Sequence, residues 1–363
     1  MTDYIKAFLF STDISLFILI NIILILLLLS LYKKYPKFFR ADDYSSIQAI
    51  HVDKTPRLGG LLIFFGICSF FFFSKSNIIG VEESNLLTNM LFFGGLLLAL
   101  TIGEDIFHNT KPIYRFISIS IATFLFFYFN DYALPVIDFP ILNNILLIPF
   151  FALIFFSFAV ISICNGFNLI DGANGLSPMT AFCALSCILF LSVMTQDNVI
   201  AIVSCIYLTF VLIFLVFNYP FGKIFLGDSG AYFLGFSIGV LLIILVGRNP
   251  SISPWNAILI LFYPTIETIF SFLRKIFYES KSPFQPDSHH LHLKIFFLMR
   301  DSGLIKGKKR NNSLVMPFIS VVWASPLLLM PWVYEHHILI IFFICVMCVG
   351  YVGFYAAIPR TKL

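Results

Sequence analysis

The twelve residues NGFNLIDGANGL, Asn165–Leu176, interrupt an otherwise apolar stretch of chain: FALIFFSFAVISIC precedes them and a run containing CALSCILFLSVM follows. The flanking apolar runs are long enough to cross a hydrocarbon layer as helices, which takes about 20 residues each. The break itself holds three Asn, one Asp and three Gly. A plain polar turn built on Asx and Gly geometry is the simplest account of such a segment. The spacing argues for more. Asn165, Asn168 and Asp171 stand at i, i+3 and i+6, which places all three on one face of a continuing helical turn. Gly166, Gly172 and Gly175 permit tight backbone geometry and the close approach of a ligand. The break therefore reads as a site at the mouth of two membrane helices.

Composition extends that reading to the whole chain. Its 363 residues are 59% hydrophobic and only 12% charged, with 46 Phe and a mean hydropathy of +0.95. A soluble domain carries about twice that share of charge. A soluble enzyme and a nucleic-acid-binding protein are both excluded as classes. The Phe-rich runs lack the alternation of barrel strands, so the spans are helices. The first apolar run is too long for the core of a signal peptide and has Asp3 and Asp13 before it, so it reads as a span that stays. The seven Cys lie in or beside apolar runs and read as packing thiols.

Eleven apolar runs are candidates for spans: 14–32, 58–74, 86–103, 113–129, 143–164, 176–194, 198–217, 230–247, 254–273, 314–333 and 337–356. The expected fold is an all-α integral membrane protein, a single polytopic domain over residues 1–363. The loops 33–57, 104–115, 165–175, 218–229 and 274–313, with the C-terminal tail, then fall on one side. They hold every Lys and Arg of the 23 except Lys6, Lys75 and Arg248. Positive charge marks the cytoplasmic side. The N-terminus is expected outside, and the C-terminus and these loops in the cytoplasm.

Five polar motifs share that side: KTPRLGG (54–60), GEDIFHNTKPIYR (103–115), the opening break, KIFLGDSG (223–230) and PDSHHLH (286–292). Glu104 and Asp105 end an apolar run, where paired acids commonly serve a cation. Lys111 and Arg115 follow and suit phosphate oxygens. Asp228 and Ser229 precede a span, where they suit an N-cap and equally a helix end that receives phosphate. His289, His290 and His292 have no Cys beside them and lack a common zinc spacing, so an acid–base or phosphate role fits them better. Lys54 and Arg57 either hold anionic lipid or belong to the site. Glu267, within the ninth run, is expected to pair with a polar neighbour inside the bundle. Acids at 105, 171 and 228 flanked by cations suit Mg²⁺, or Mn²⁺, bridged to phosphates.

In order, the motifs PRLGG, GED, NGFNLIDGANGL, FLGDSG and HxH resemble those of the polyprenyl-phosphate N-acetylhexosamine-1-phosphate transferases, over roughly Lys54 to Lys294. The resemblance implies a fold of ten or eleven spans in the bacterial inner membrane with a cytoplasmic active site. It implies transfer of a sugar-1-phosphate from a UDP-N-acetylhexosamine to undecaprenyl phosphate, with release of UMP. Glu104 and Asp105 take the place of the family's acidic pair, Asp171 of its catalytic and metal-linked aspartate, and Asp228 of its magnesium ligand. Phe225 takes the place of an aromatic that packs on uracil. Lys54, Lys111, Asn165, Asn168 and Asn174 fall in the substrate region, and His290 and His292 meet the phosphates. Three departures stand out: Glu104 replaces the usual first aspartate, Asn174 the second aspartate of DGxDG, and Leu293 a histidine. The second and third are closer to O-antigen-initiating relatives than to the peptidoglycan transferase, which is the alternative. A transporter would instead carry its acids at mid-span. A homodimer is compatible with all of this.

Overall fold

The computed structural model describes residues 12–35, 55–73, 79–107, 112–137, 139–280, 282, 289–302 and 308–359. Among them the regular structure is all helical, without strands. The helices are α1 (Thr12–Lys34), α2 (Gly59–Phe73), α3 (Val81–Phe107), α4 (Pro112–Phe129), α5 (Pro140–Leu146), α6 (Pro149–Ile170), α7 (Leu176–Met194), α8 (Asn198–Asn218) and α9 (Asp228–Arg248). After these come α10 (Asn256–Ile260), α11 (Phe262–Phe277), α12 (Leu291–Asp301), α13 (Lys308–Ala324), a 3₁₀ turn (Ser325–Leu329), α14 (Met330–Val333) and α15 (His337–Ala357).

Eight segments among the described residues are long and apolar enough to span a membrane: Ile14–Lys34, Val81–Gly103, Pro149–Ile170, Leu176–Met194, Asn198–Asn218, Asp228–Arg248, Asn312–Val333 and His337–Ala357. Gly59–Phe73 and Ile113–Phe129 are apolar but shorter. The run expected at 254–273 is broken at Leu261 into α10 and α11. The expected eleven spans thus divide into eight of full length, two short helices and one broken pair. The break comes after Pro254 and before Pro264, neither of which can donate an amide hydrogen bond.

Helix α9 is the axis of the bundle. All its residues from Ser229 to Val246 are buried, and it packs against α2, α3, α6 and α7. A helix this predominantly apolar has no solvent face to present, so neighbours must surround it. Small residues set the packing distance. A Cβ on Gly60 would lie 2.2 Å from Gly230 Cα, and one on Gly235 would lie 2.6 Å from Cys164 Cα. Backbones of α2 and α6 therefore touch the backbone of α9, the close approach that small residues allow in membrane bundles. By contrast α15 buries only Ile340 and Tyr351 among its described residues and turns an apolar surface outward.

Helix α9 is about 30 Å long, so its ends mark the two ends of the bundle. At the Arg248 end, the guanidinium bonds Glu82 and, at 2.9 Å, Asp197, which also caps α8 through Ile200 N at 3.2 Å. This latch joins α3, α8 and α9. The polar motifs lie at the Asp228 end.

Candidate active site

The site begins with backbone pairing between two motifs about 170 residues apart. Phe225 N donates to Pro56 O (3.0 Å), while Gly59 N and Gly60 N donate to Phe225 O and Leu226 O (both 2.9 Å). Thr55 Oγ1 adds a bond to Gly222 O at 3.1 Å. PRLGG and FLGDSG thus form one structural unit. Gly227, at φ +82°, turns the chain out of this pairing and into α9. A Cβ there would meet Arg57 O and Asp105 Oδ1, so the position requires glycine on two counts.

The N-terminus of α9 is closed by a side chain from another helix. Asp105 Oδ1 accepts from Asp228 N (2.8 Å), and Asp105 Oδ2 accepts from Ser229 N (3.0 Å) and Ser229 Oγ (2.5 Å). The first amides of a helix have no partner within it, and their positive end attracts an anion. The Asp228–Ser229 pair therefore does not cap its own helix; Gly227 is the N-cap and Asp105 supplies the oxygens. Asp228 is left to face outward. Its Oδ1 accepts from Arg57 Nη2 at 3.2 Å and its Oδ2 from Arg115 Nη1 at 3.4 Å, with the carboxylate 16% exposed. Arg57 Nε also lies 4.0 Å from Asp105 Oδ1.

Asp105 lies just beyond the apolar segment that ends at Gly103. Burial and then the neighbouring Asp228 charge push its pKa up to about 6, against the bonds from Ser229 and the Arg57 charge, which pull it down. Two carboxylates and two guanidiniums thus share a half-enclosed space.

The opening break lies beside them. Helix α6 runs through Ile170, so 165–170, expected in the loop, are helical and Asp171 is the C-cap. Asn165 and Asn168 share a face, as their spacing predicts. Asn165 Nδ2 turns back to Ile161 O (2.8 Å), while Asn168 Nδ2 reaches Tyr232 OH (2.9 Å), one turn into α9 from Asp228. Gly172 packs on the His292 ring; a Cβ there would lie 2.4 Å from Nε2. His290 and His292 are buried, with parallel rings 5.8 Å apart.

Asn174 and Phe225 are placed as parts of the scaffold. Asn174 N donates to Asn312 Oδ1 (2.7 Å), and its Nδ2 donates to Pro220 O (3.3 Å). Asn218 completes this wall: its Oδ1 accepts from Gly175 N (2.6 Å) and its Nδ2 donates to Ile224 O (2.7 Å). The Phe225 side chain is buried, 7% exposed. Lys54 and Lys111 lie outside the described residues, as does the Glu104 side chain.

Sequence reasoning left two participants, Tyr232 and Asn218, without a role. Tyr232 carries no local signal, being one aromatic among many. Asn218 resembles the polar end of any span. Arg57 and Arg115 were visible as cations near the motifs, yet only the fold shows that both reach Asp228. Glu267 was read as paired inside the bundle, and its partners are His290 and Tyr351.

Fold and site together define a polytopic membrane protein with two carboxylates and two guanidiniums gathered at one end of its bundle. The family model for glycosyl transferase family 4 matches residues 87–246, a span that includes Asp105, Arg115, Asn168, Asp171 and Asp228. A Bacillus subtilis (strain 168) protein named probable undecaprenyl-phosphate N-acetylglucosaminyl 1-phosphate transferase is 26% identical over 278 residues, 76% of this chain and 75% of that protein. The undecaprenyl-phosphate alpha-N-acetylglucosaminyl 1-phosphate transferase of Escherichia coli (strain K12) is 25% identical over 299 residues, 80% of this chain and 75% of that protein. A phospho-N-acetylmuramoyl-pentapeptide-transferase of Dictyoglomus thermophilum is 28% identical over 271 residues, 71% of this chain and 80% of that protein. Over most of its length the chain is thus similar to transferases that act on a polyprenyl phosphate, and its residues 87–246 match the glycosyl transferase family 4 model.

Proposed function

We propose that this protein transfers an N-acetylhexosamine-1-phosphate from a UDP-sugar to a polyprenyl phosphate, undecaprenyl phosphate in the first instance, and releases UMP. The observation that carries the reading is the pair Asp105–Asp228 held at the N-terminus of α9 between Arg57 and Arg115. One substrate is water-soluble and the other is a lipid, so the reaction belongs at the end of a membrane bundle. The 23 Lys and Arg, all but Lys6, Lys75 and Arg248 in the segments expected on one side from the sequence, support a cytoplasmic face of the bacterial inner membrane.

In this reading the lipid phosphate oxygen attacks the phosphorus that bears the sugar, and UMP leaves. Such a reaction rests on positioning and charge stabilisation. Arg57 and Arg115 exchange Asp228 for phosphate oxygens, which their planar forks suit. Asp105 fixes Asp228 and, with its raised pKa, holds or receives the proton of the attacking phosphate. His290 and His292 meet the diphosphate, with Asn165 and Asn168 on the nucleotide side. Phe225, Asn174, Lys54, Lys111 and Glu104 complete the substrate region as proposed from the family pattern.

The residues fit a divalent cation of the oxygen-loving kind. Among the described residues no group of three or more His, Cys, Asp or Glu forms a closed cage. Mg²⁺ needs only one or two carboxylates when substrate phosphates and waters supply the remainder. Asp228, partly exposed, and Asp171, half-buried at the end of α6, would hold it. Bound there, Mg²⁺, or Mn²⁺, supplies charge neutralisation on the departing UMP.

N-acetylglucosamine is the favoured sugar, because the matched relatives named for a sugar-1-phosphate are mostly N-acetylglucosaminyl transferases. Initiation of an envelope glycan such as O-antigen follows from that choice. The test is a panel of UDP-sugars, including UDP-N-acetylmuramoyl-pentapeptide, offered to the purified protein with undecaprenyl phosphate and Mg²⁺. UMP release that requires the lipid and prefers UDP-N-acetylglucosamine supports the reading. Preference for the pentapeptide substrate would transfer the protein to peptidoglycan synthesis.

A further inference from the structure

The last apolar helix, α15, lies outside the matched family segment, which ends at residue 246. It is also the least enclosed of the spanning helices. Its few buried positions nevertheless include a polar one. Tyr351 OH donates to Glu267 Oε2 at 2.7 Å, and Glu267 is 1% exposed. The other oxygen, Glu267 Oε1, accepts from Leu291 N at 3.1 Å and lies 3.1 Å from His290 Nδ1. One turn further along α15, Tyr355 OH donates to His289 O at 2.7 Å, and Lys294 Nζ donates to Tyr355 O at 2.8 Å. The helix therefore grips the histidine segment on both sides of His290.

From this geometry we infer that Tyr351 and Glu267 are positioning residues for the transfer reaction, fixing His290 so that Nδ1 is its protonated, anchored nitrogen and Nε2 faces the chemistry. The inference rests on His290 acting in the proposed reaction. Three donors and the N-terminus of α12 converge on the Glu267 carboxylate, and a helix N-terminus favours the anion. A carboxylate can only accept. The proton between Glu267 and His290 then belongs to Nδ1, and the remaining nitrogen, Nε2, is the one that meets a phosphate oxygen or exchanges a proton. A partner on one ring nitrogen commonly sets the role of the other in this way. Tyr351 holds the far oxygen of the carboxylate and so prevents it from rotating away. Its ring packs edge-on against Phe270 at a centroid distance of 5.4 Å, so the ring keeps its place without the hydroxyl.

The experiment is a double-mutant cycle on lipid-dependent UMP release with Tyr351→Phe, His290→Ala and the pair, accompanied by thermal unfolding of each. Tyr351→Phe should lower kcat by roughly tenfold with little change in KM for the UDP-sugar and in the unfolding temperature. In the His290→Ala background the same substitution should change nothing further. Full kcat in Tyr351→Phe, or losses that multiply in the double variant, would overturn the inference. The ¹⁵N spectrum of histidine-labelled protein supplies a readout that needs no turnover. The His290 signal, identified by its loss in His290→Ala, should show a protonated Nδ1 and should shift in Tyr351→Phe and Glu267→Gln. A neutral ring protonated on Nε2 in the wild type, or a signal blind to both substitutions, would also overturn it. Failure of the wild type to release UMP tells against the proposed reaction and leaves the spectrum to decide the positioning.

Discussion

The carboxylate of Asp105 closes the helix that begins at Asp228, 123 residues further along the chain, by accepting its first two free amides. One acid thus holds another in place. Hydrogen bonds to a charged group contribute about 1.5–3 kcal/mol, enough to fix where the Asp228 carboxylate points and to bring Arg57 and Arg115 onto it.

The first prediction concerns pH. The Asp105 pKa is about 6 in the folded protein against 3.8 for a free carboxyl, and the Ser229 bonds restrain it. Ser229→Ala removes the hydroxyl bond that favours the ionised form, so the pKa rises further. The acid limb of the kcat/KM profile should move to higher pH, read from UMP release between pH 5 and 8. The linked stability has a definite sign. A raised pKa means the folded state resists ionisation, so this group's contribution is most favourable below pH 4. It falls as pH rises to about 6 and is constant above that.

Arg57 should not tolerate lysine. Its guanidinium reaches Asp228 through Nη2 and approaches Asp105 through Nε, and a single ammonium cannot occupy both positions. Arg57→Lys is expected to lower kcat/KM by about tenfold, equivalent to about 1.4 kcal/mol. Steady-state kinetics at saturating lipid would show it.

Two glycines should fail differently. In Gly172→Ala the new methyl meets the His292 ring, which can move, so activity should fall while the unfolding temperature changes little. In Gly60→Ala the methyl meets the backbone of Gly230, which cannot move without parting α2 from α9. Overpacking of that kind costs about 1–3 kcal/mol or more, and the yield of folded protein should drop. Comparing melting curves of the two variants in detergent checks both.

Asn218→Ala should destabilise the wall of the site. It removes the acceptor for Gly175 N and the donor for Ile224 O, both in a buried setting. Buried groups left without partners cost about 1–3 kcal/mol each. A lower unfolding temperature is expected, with heightened protease cleavage near Gly175.

The sequence made the membrane class legible because lipid demands long apolar helices, and their composition differs from any soluble core. The site's end of the bundle was legible for the same reason, since polar residues at 103–105, 165–175 and 227–229 are costly anywhere but at a helix mouth. What could not be read was the pairing. Nothing local to Asp105 says that its oxygens belong to the amides of Asp228 and Ser229, and nothing near Glu267 points to His290 and Tyr351. These are long-range contacts, fixed by how α3, α11 and α15 pack. The break at Leu261 was also hidden, because α10 and α11 together have the apolar content of one span.

The central claim is that Asp228, presented by Asp105, serves phosphoryl transfer. The most direct test is lipid-dependent UMP release by wild type and Asp228→Asn at saturating Mg²⁺, with folding of both confirmed by melting. The wild type should release UMP, and the variant should lose at least about a hundredfold. Release at the wild-type rate by folded Asp228→Asn would contradict it.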